Sequence, residues 1–163
     1  MSRRLTIRFV TLAALAICAP LHAQDKLAED VARYQHDPDP VRKARELAKL
    51  GDEQIEFAKK QLKDGNDVAS LHTLEQYSDE VRESVAALIG TGVDAEKKPA
   101  GFKELQISLR ETIRRVDELI FTLNVDKRPF FREVRNDLLT NQNQLIDKLF
   151  PRNAERPAPK ANP

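Results

Sequence analysis

The stretch from Phe102 to Leu123 constrains the fold more than any other part of the sequence. Its large apolar residues recur in steps of three and four, the spacing that places side chains on one face of an α-helix. They are Phe102, Leu105, Leu109, Ile113, Val116, Ile120 and Leu123. This face is widened by Ile107, Leu119 and Phe121, which predicts neighbours on more than one side of the helix. Such a helix requires a bundle of other helices around it.

The same spacing recurs in four other stretches, and turn residues separate them. The predicted helices cover residues 27–34, 40–63, 68–88 and 129–150. Asp39 is predicted to cap the second helix, with Pro40 at its first position, and Asp64-Gly65-Asn66-Asp67 forms the turn to the third. No segment longer than a few residues alternates with the period of a strand. The predicted fold is all-α: an antiparallel helical bundle or stacked helical hairpins, with four main helices and a short N-terminal one.

The second helix carries small residues along one apolar face, among them Ala44, Ala48, Gly51 and Ala58. A partner helix can approach closely along such a face. Gly51 in the middle of the helix is explained either by this close packing or by a kink. The polar connection over residues 93–101 is long enough for the fourth helix to cross over instead of lying beside the third.

The N-terminal segment, residues 1–23, has the pattern of a secretory signal peptide. Three arginines give it a positive start, an apolar run covers residues 9–19, and Leu21-His22-Ala23 offers a context for cleavage after Ala23. The apolar run is shorter than the stretch of about 20 residues that crosses a bilayer. Two alternatives remain open: an anchor helix that is never cut, and a lipid-tethered chain with the lipid on Cys18. The sequence predicts a periplasmic or secreted protein with no stable membrane span after cleavage.

Cleavage near Ala23 divides the chain into a signal peptide (1–23), a helical domain (24–150) and a disordered Pro-rich tail (151–163). The remaining 140 residues suffice for one domain with its own core. They carry 24 basic and 26 acidic residues, a net charge of −2, because the signal contains three arginines and no acid. This balance disfavours nucleic acid as a partner. The one cysteine, Cys18, lies in the signal, which excludes disulfides, zinc-thiolate sites and a thiol nucleophile from the mature chain.

Two groups of residues have side chains that bind metals. His72, Glu75 and Asp79 follow one another at one-turn spacing on the third predicted helix. Metal sites in helical bundles take repeated Glu and His ligands from several helices, and this region has a single His, so a solvated His is the favoured interpretation. The second group lies in a proline-rich turn, where a helix start explains its residues: His36, Asp37 and Asp39.

No nucleophile and base can be paired from the sequence. Ser70 and His72 are two residues apart on a helix and therefore point to nearly opposite sides. Acid pairs such as Glu80 and Glu83 are abundant, but the sequence marks none of them as buried. We assign no catalytic, cofactor-binding or metal-binding residue, and we predict that the protein is not an enzyme.

Basic and aromatic residues are predicted to gather at one end of the last two helices. The cations are Arg110, Arg114, Lys127, Arg128, Arg132 and Arg135. Acids interleave with them, which predicts a solvated mixed face; contact with an acidic partner or a lipid headgroup is the second interpretation. Phe130 and Phe131 give the predicted exposed apolar edge, although the helical spacing of Phe131 favours a core position. Asn141 and Gln142 interrupt the apolar stripe of the last helix, as a buried polar layer or an exposed turn.

The segment Leu139-Thr140-Asn141-Gln142-Asn143-Gln144 resembles the Leu-Thr-x-x-Gln motif of the small periplasmic stress chaperones of the Spy and CpxP type. Asn143 stands at the position of the motif's Gln. The resemblance implies a small helical periplasmic protein that binds unfolded clients.

The export signal, the five amphipathic stretches and the lack of a catalytic set together favour one function. We expect a non-catalytic protein-binding or scaffolding module of the bacterial envelope, which presents a groove between helices, such as the second and third, to a segment of another envelope protein. The alternatives are a small periplasmic chaperone-like protein and, third, a helical metal or ligand carrier.

Overall fold

The computed structural model describes residues 29–151, and within these residues the chain forms helices and no strand. The helices are α1 over residues 29–36, α2 over Pro40–Lys63, α3 over Asp67–Gly90, α4 over Phe102–Thr122 and α5 over Arg128–Leu149. The prediction of an all-α fold with four main helices and a short leading one is confirmed. The predicted signal peptide and residues 152–163 of the predicted tail lie outside the described residues.

Local turn chemistry sets the helix boundaries, as the sequence predicts. Asp39 Oδ1 accepts a hydrogen bond from the amide two residues later at 2.9 Å, and Pro40 occupies the first position of α2. Gly65 follows α2 with a φ of +77°, a conformation that glycine adopts without strain. Asn66 then caps α3, because its side chain accepts a hydrogen bond from the amide three residues later at 3.2 Å.

The helices form two antiparallel hairpins, α2–α3 and α4–α5, which pack side by side as a four-helix bundle. α2 contacts α4 and α3 contacts α5, and each of these pairs runs parallel. Arg45 pairs with Glu104 at 3.3 Å near the start of both α2 and α4, and one turn further Ser108 Oγ donates to the Ala48 carbonyl at 2.9 Å. The connection over residues 91–101 therefore crosses one end of the bundle, as its length allows, and both hairpin turns lie at the other end.

The prediction that α4 has more than one neighbour is confirmed, because it packs against both α2 and α5. Leu105, Leu109 and Val116 in its apolar stripe are fully buried. Ile107 and Phe121 do not widen this stripe as predicted, since they are 45% and 79% exposed. Two residues along a helix correspond to about 200° of rotation, so positions two residues from the buried stripe face the solvent.

Close packing explains the glycine in the middle of α2. A Cβ at Gly51 would lie 2.5 Å from the hydroxyl oxygen of Tyr77 on α3. The phenol ring occupies the space that a side chain would fill, and Tyr77 is completely buried. Burial raises the pKa of the Tyr77 hydroxyl to about 12, so the ring stays neutral at physiological pH.

The polar residues that interrupt the apolar stripe of α5 are buried. Asn141 and Gln142 both lie in the interior, and Asn141 Nδ2 donates to the Asp137 carbonyl within the same helix at 2.9 Å. The structure therefore shows a buried polar layer and not an exposed turn.

Candidate protein-binding site

The predicted ligand and nucleophile candidates on α3 do not form a site. His72, Glu75 and Asp79 are all exposed to solvent. Ser70 is fully buried, so it points away from His72, as their spacing predicts. The part of the chain that the structure describes contains no group of three or more His, Cys, Asp or Glu side chains placed to hold a metal ion.

The residues of the turn before α2 hold the start of that helix. Asp37 Oδ1 accepts hydrogen bonds from the Asp39 amide at 2.9 Å and from Arg42 at 3.1 Å. His36 is exposed, and its Nδ1 lies 2.7 Å from the Ala32 carbonyl oxygen within α1. These contacts confirm that this turn is a helix start.

Glu80 is buried, although the sequence analysis marks none of the acid pairs as buried. It is 7% exposed, and its Oε2 accepts a hydrogen bond from Gln54 Nε2 on α2 at 3.0 Å. Desolvation raises the pKa of Glu80 above its ordinary value of 4.5. The sequence contains a signal for this burial: Glu80 comes three residues after Tyr77 and four before Ser84, in phase with the buried face of α3.

Tyr34 attaches α1 to the region around this carboxylate. Its hydroxyl donates to the main-chain carbonyl of Glu80 at 3.0 Å, and Lys43 Nζ lies 4.8 Å from the centre of its ring. Glu80 and Tyr34 line none of the surface openings described below. Their contacts therefore belong to the interior of the fold and not to a surface opening.

A cleft lies between the two hairpins at the end of the bundle that holds both turns. Its α2–α4 half has a volume of about 490 Å³ and its α3–α5 half about 430 Å³. An ion pair between Lys127 and Asp67 separates the halves, since both residues line each of them. We call this opening the inter-hairpin cleft. Its apolar lining consists of Leu62, Leu119 and Leu123 in the first half and Val68, Leu71, Phe130 and Phe131 in the second.

Large apolar side chains stay exposed around this end of the bundle. Val68 in the first turn of α3 is 80% exposed, Val125 in the α4–α5 turn 75%, and Phe130 in the first turn of α5 57%. The predicted exposed edge at Phe130 is confirmed, and so is the core position of Phe131. The spacing of apolar residues in the predicted third helix (68–88) begins at Val68 and predicts a core position for it, which is wrong, because Val68 faces the solvent. With Phe121 at the end of α4, these exposed residues form what we call the apolar rim: Val68, Phe121, Val125 and Phe130.

The acids that line the inter-hairpin cleft are neutralised by ion pairs. Glu56 pairs with Arg115 from α4, and Asp67 pairs with Lys127. Lys63 also lines the α2–α4 half, and no carboxylate of the described residues pairs with it. The cleft therefore combines an apolar lining with a small excess of positive charge.

A smaller pocket, of about 290 Å³, lies between α5 and the C-terminal part of α4. Arg135 pairs there with Asp117 at 3.1 Å. Arg128 Nε donates to the Leu123 carbonyl at 3.0 Å, which satisfies a carbonyl at the end of α4. Arg132 is exposed, and nothing in the described part of the chain forms an ion pair with it. We call this opening the arginine pocket.

The structure divides the cations that the sequence places together at one end. Arg110 and Arg114 lie in the middle of α4, about 18 and 12 Å along its axis from its C-terminal end. Arg114 pairs with Glu111 and with Glu118, which confirms a mixed charged face at that position. The cations at the turn end itself are Lys127, Arg128, Arg132 and Arg135.

Comparison with known proteins adds no family to this description. No family model matches the sequence, and no curated protein or solved structure matches the chain. In the segment that resembles the chaperone motif, Asn141 and Gln142 are buried, while Thr140 and Asn143 are exposed. None of the helices within residues 29–151 has both the length and the apolar character that crossing a membrane demands. The fold defines an all-helical bundle of two hairpins.

Proposed function

We propose that this protein is a non-catalytic protein-binding or scaffolding module of the bacterial envelope, and that its partner docks at the inter-hairpin cleft. The apolar rim carries the proposal. Exposed large apolar residues that surround an opening mark binding surfaces, whereas scattered ones need no explanation. Here four such residues surround one end of the bundle, next to a cleft that is itself lined by leucine and phenylalanine.

Export supports the location in the envelope. The positive start, the apolar run and the small-residue context of residues 1–23 form the pattern of a signal peptide. A partner in the same compartment is then another envelope protein. Direct sequencing of the N-terminus of the purified protein tests the cleavage: a first residue near Gln24 is expected, and an intact Met1 contradicts cleavage and favours the uncut anchor helix.

The proposed docking position is the gap between the hairpins and not the α2–α3 pair that the sequence analysis favours. α2 and α3 approach closely where Tyr77 packs over Gly51, which leaves no room for a third segment there. At their turns the two hairpins leave open volume between them, in the two halves of the cleft on either side of the Lys127–Asp67 ion pair.

Affinity capture from envelope extract tests the proposal with matched variants. Phe130→Ser removes an apolar residue from the rim, and Ile107→Ser removes an exposed one near the opposite end of α4. We expect the wild type and the Ile107→Ser control to retain the same dominant protein, identified by mass spectrometry, and Phe130→Ser to lose most of it. Equal retention by all three chains contradicts docking at the cleft. A purified protein that turns over a substrate contradicts the non-catalytic assignment.

The apolar rim also favours a second candidate, a small chaperone-like protein, because such a surface can hold unfolded clients. The resemblance of residues 139–144 to the periplasmic chaperone motif points the same way. This candidate predicts that the purified protein suppresses aggregation of an unfolded client at equal molar ratio. A broad mixture of captured proteins agrees with it, and failure to suppress aggregation removes it.

A further inference from the structure

Around the apolar rim, the carboxylates and the cations differ in whether they form ion pairs. Each carboxylate that lines the inter-hairpin cleft or the arginine pocket belongs to an ion pair within the described residues: Glu56 with Arg115, Asp67 with Lys127, and Asp117 with Arg135. Among the cations of these linings, Lys63, Arg128 and Arg132 have no carboxylate partner in that part of the chain. Asp126 and Glu133 are close in sequence but line neither opening.

The two arginines are arranged to receive an anion from outside. Arg128 and Arg132 are one helical turn apart on α5 and line the arginine pocket together, next to the exposed ring of Phe121. Arg128 is held in place by donating from Nε to the Leu123 carbonyl and from Nη2 to the Phe121 carbonyl at 3.3 Å. Its Nη1 and the whole guanidinium of Arg132 have no hydrogen-bond acceptor within residues 29–151. A guanidinium held this way offers a carboxylate a directed, charge-assisted hydrogen bond.

Apolar and cationic openings lie on opposite flanks of the first turns of α5. The α3–α5 half of the inter-hairpin cleft, with Phe130 and Phe131, is on one flank, and the arginine pocket is on the other. A helix is about 10 Å across, and an extended chain advances about 3.3 Å per residue. A segment that crosses α5 therefore reaches from one opening to the other in about three to four residues.

We infer that the partner binds through an acidic segment in which a large apolar residue and a carboxylate stand about three to four residues apart. The apolar side chain enters the α3–α5 half of the cleft and covers Phe130. The carboxylate lies between Arg128 and Arg132 in the arginine pocket. This inference deepens the proposed function and rests on it, since it names the chemistry of the partner that docks at the same end of the bundle.

Selection from a phage-displayed library of random dodecapeptides tests the inference without a known partner. The bait is the exported protein, purified as the cell processes it. Peptides that the wild type retains are expected to be net negative and to carry Asp or Glu about three to four residues from a large apolar residue. Their binding, measured by fluorescence anisotropy, is expected to weaken between about 0.05 and 0.3 M NaCl, because salt screens exposed charges.

Matched variants then separate the two parts of the surface. Phe130→Ser and Arg132→Glu are each expected to weaken binding of a selected peptide by at least about tenfold. Ile107→Ser and Lys103→Glu change an exposed apolar residue and an exposed cation near the other end of α4, and these controls are expected to stay within about twofold of the wild type. Circular dichroism of each variant verifies that the helices are intact.

The outcomes distinguish the inference from the proposed function. If the selected peptides are neutral or basic but bind the Phe130→Ser variant less tightly than the wild type, the inference of an acidic segment is wrong, while docking at the cleft is retained. Peptides that bind Phe130→Ser as tightly as the wild type, or a selection that recovers no binder, overturn both. If vesicles of anionic phospholipid bind the wild type and compete with the selected peptides, while neutral vesicles do not, the arginine pocket serves a membrane surface and the inference is wrong.

Discussion

Gly51 has a hydrogen atom where alanine has a methyl group, and this difference allows α2 and α3 to pack closely at Tyr77. The hydroxyl oxygen of Tyr77 occupies the position next to the missing side chain, and the ring is enclosed on all sides. A Cβ at this position requires the ring to move within a filled interior. The helical preference of alanine, worth up to about 1 kcal/mol over glycine, does not offset that displacement.

Gly51→Ala is therefore expected to lower the free energy of unfolding by about 1–3 kcal/mol, the usual cost of overpacking a core. Gly90→Ala is the matched control, because a Cβ at Gly90 meets no atom within 4 Å. Urea unfolding followed by circular dichroism measures both. The penalty is expected to shrink when Tyr77→Phe removes the hydroxyl oxygen; an equal penalty in that background would show that another contact is responsible.

Glu80 shows a second effect at the scale of one residue, a dependence of stability on pH. Its folded pKa is raised by burial, so the folded state holds this proton more tightly than the unfolded chain does. The contribution of Glu80 to stability is complete below its ordinary pKa of 4.5 and is lost as the pH rises through the raised folded value.

Glu80→Gln keeps an acceptor for Gln54 and removes the charge. The variant is expected to be more stable than the wild type at neutral pH, by on the order of 1 kcal/mol, and to lose this advantage as the pH falls through the raised folded pKa of Glu80 towards 4.5. Urea unfolding at a series of pH values between 4 and 8 gives the comparison, with the exposed Glu75→Gln as the control for loss of one carboxylate. A wild type that is the more stable chain at neutral pH would contradict this sign.

At the scale of the helices, α1 is attached to the bundle by Tyr34 in the core and by the partly buried Val31 packed against it. Tyr34 is buried and supplies both the hydrogen bond to the Glu80 carbonyl and the ring beneath Lys43. Most of the stability of a helix in a protein comes from tertiary packing, so the helical structure of residues 29–36 depends on these contacts.

Tyr34→Ala is expected to lower the protection of the α1 amides against hydrogen exchange by at least about tenfold while α2–α5 keep theirs. Mass spectrometry of exchanged peptides resolves the two regions. Arg33→Ala removes an exposed neighbour on the same helix and serves as the control. Uniform loss of protection across all helices would instead show that α1 is an integral part of the core.

The helices themselves were predictable because their signals are local. Asp39, Pro40, Gly65 and Asn66 act on amides within a few residues of themselves, and the predicted range of α2 agrees with the observed one, Pro40–Lys63. The side of a helix that meets a partner was predicted less well. Phe121 was expected inside because it is apolar, but it is 79% exposed and lines the arginine pocket instead.

The candidate site was predictable only in part, because it is assembled from both hairpins. Phe130 and the cations beside it were predictable, because they are neighbours along the chain. The cleft was not, since it depends on how α2–α3 and α4–α5 stack, and no local pattern encodes the pairing of Lys127 with Asp67 across 60 positions. Glu80 was missed for the opposite reason: its phase on α3 was readable, but its charge argued against burial.

At the scale of the whole molecule, the parallel stacking of the hairpins gives the bundle two unlike poles. The start of α2, the end of α5 and the crossing connection all lie at one pole, and the two turns with the apolar rim lie at the other. A protein that is held through the start of α2 or the end of α5 therefore directs the inter-hairpin cleft away from the point of attachment. Attachment to a surface through the end of α5 leaves the rim free for a partner, while a tag inserted into either turn would obstruct it.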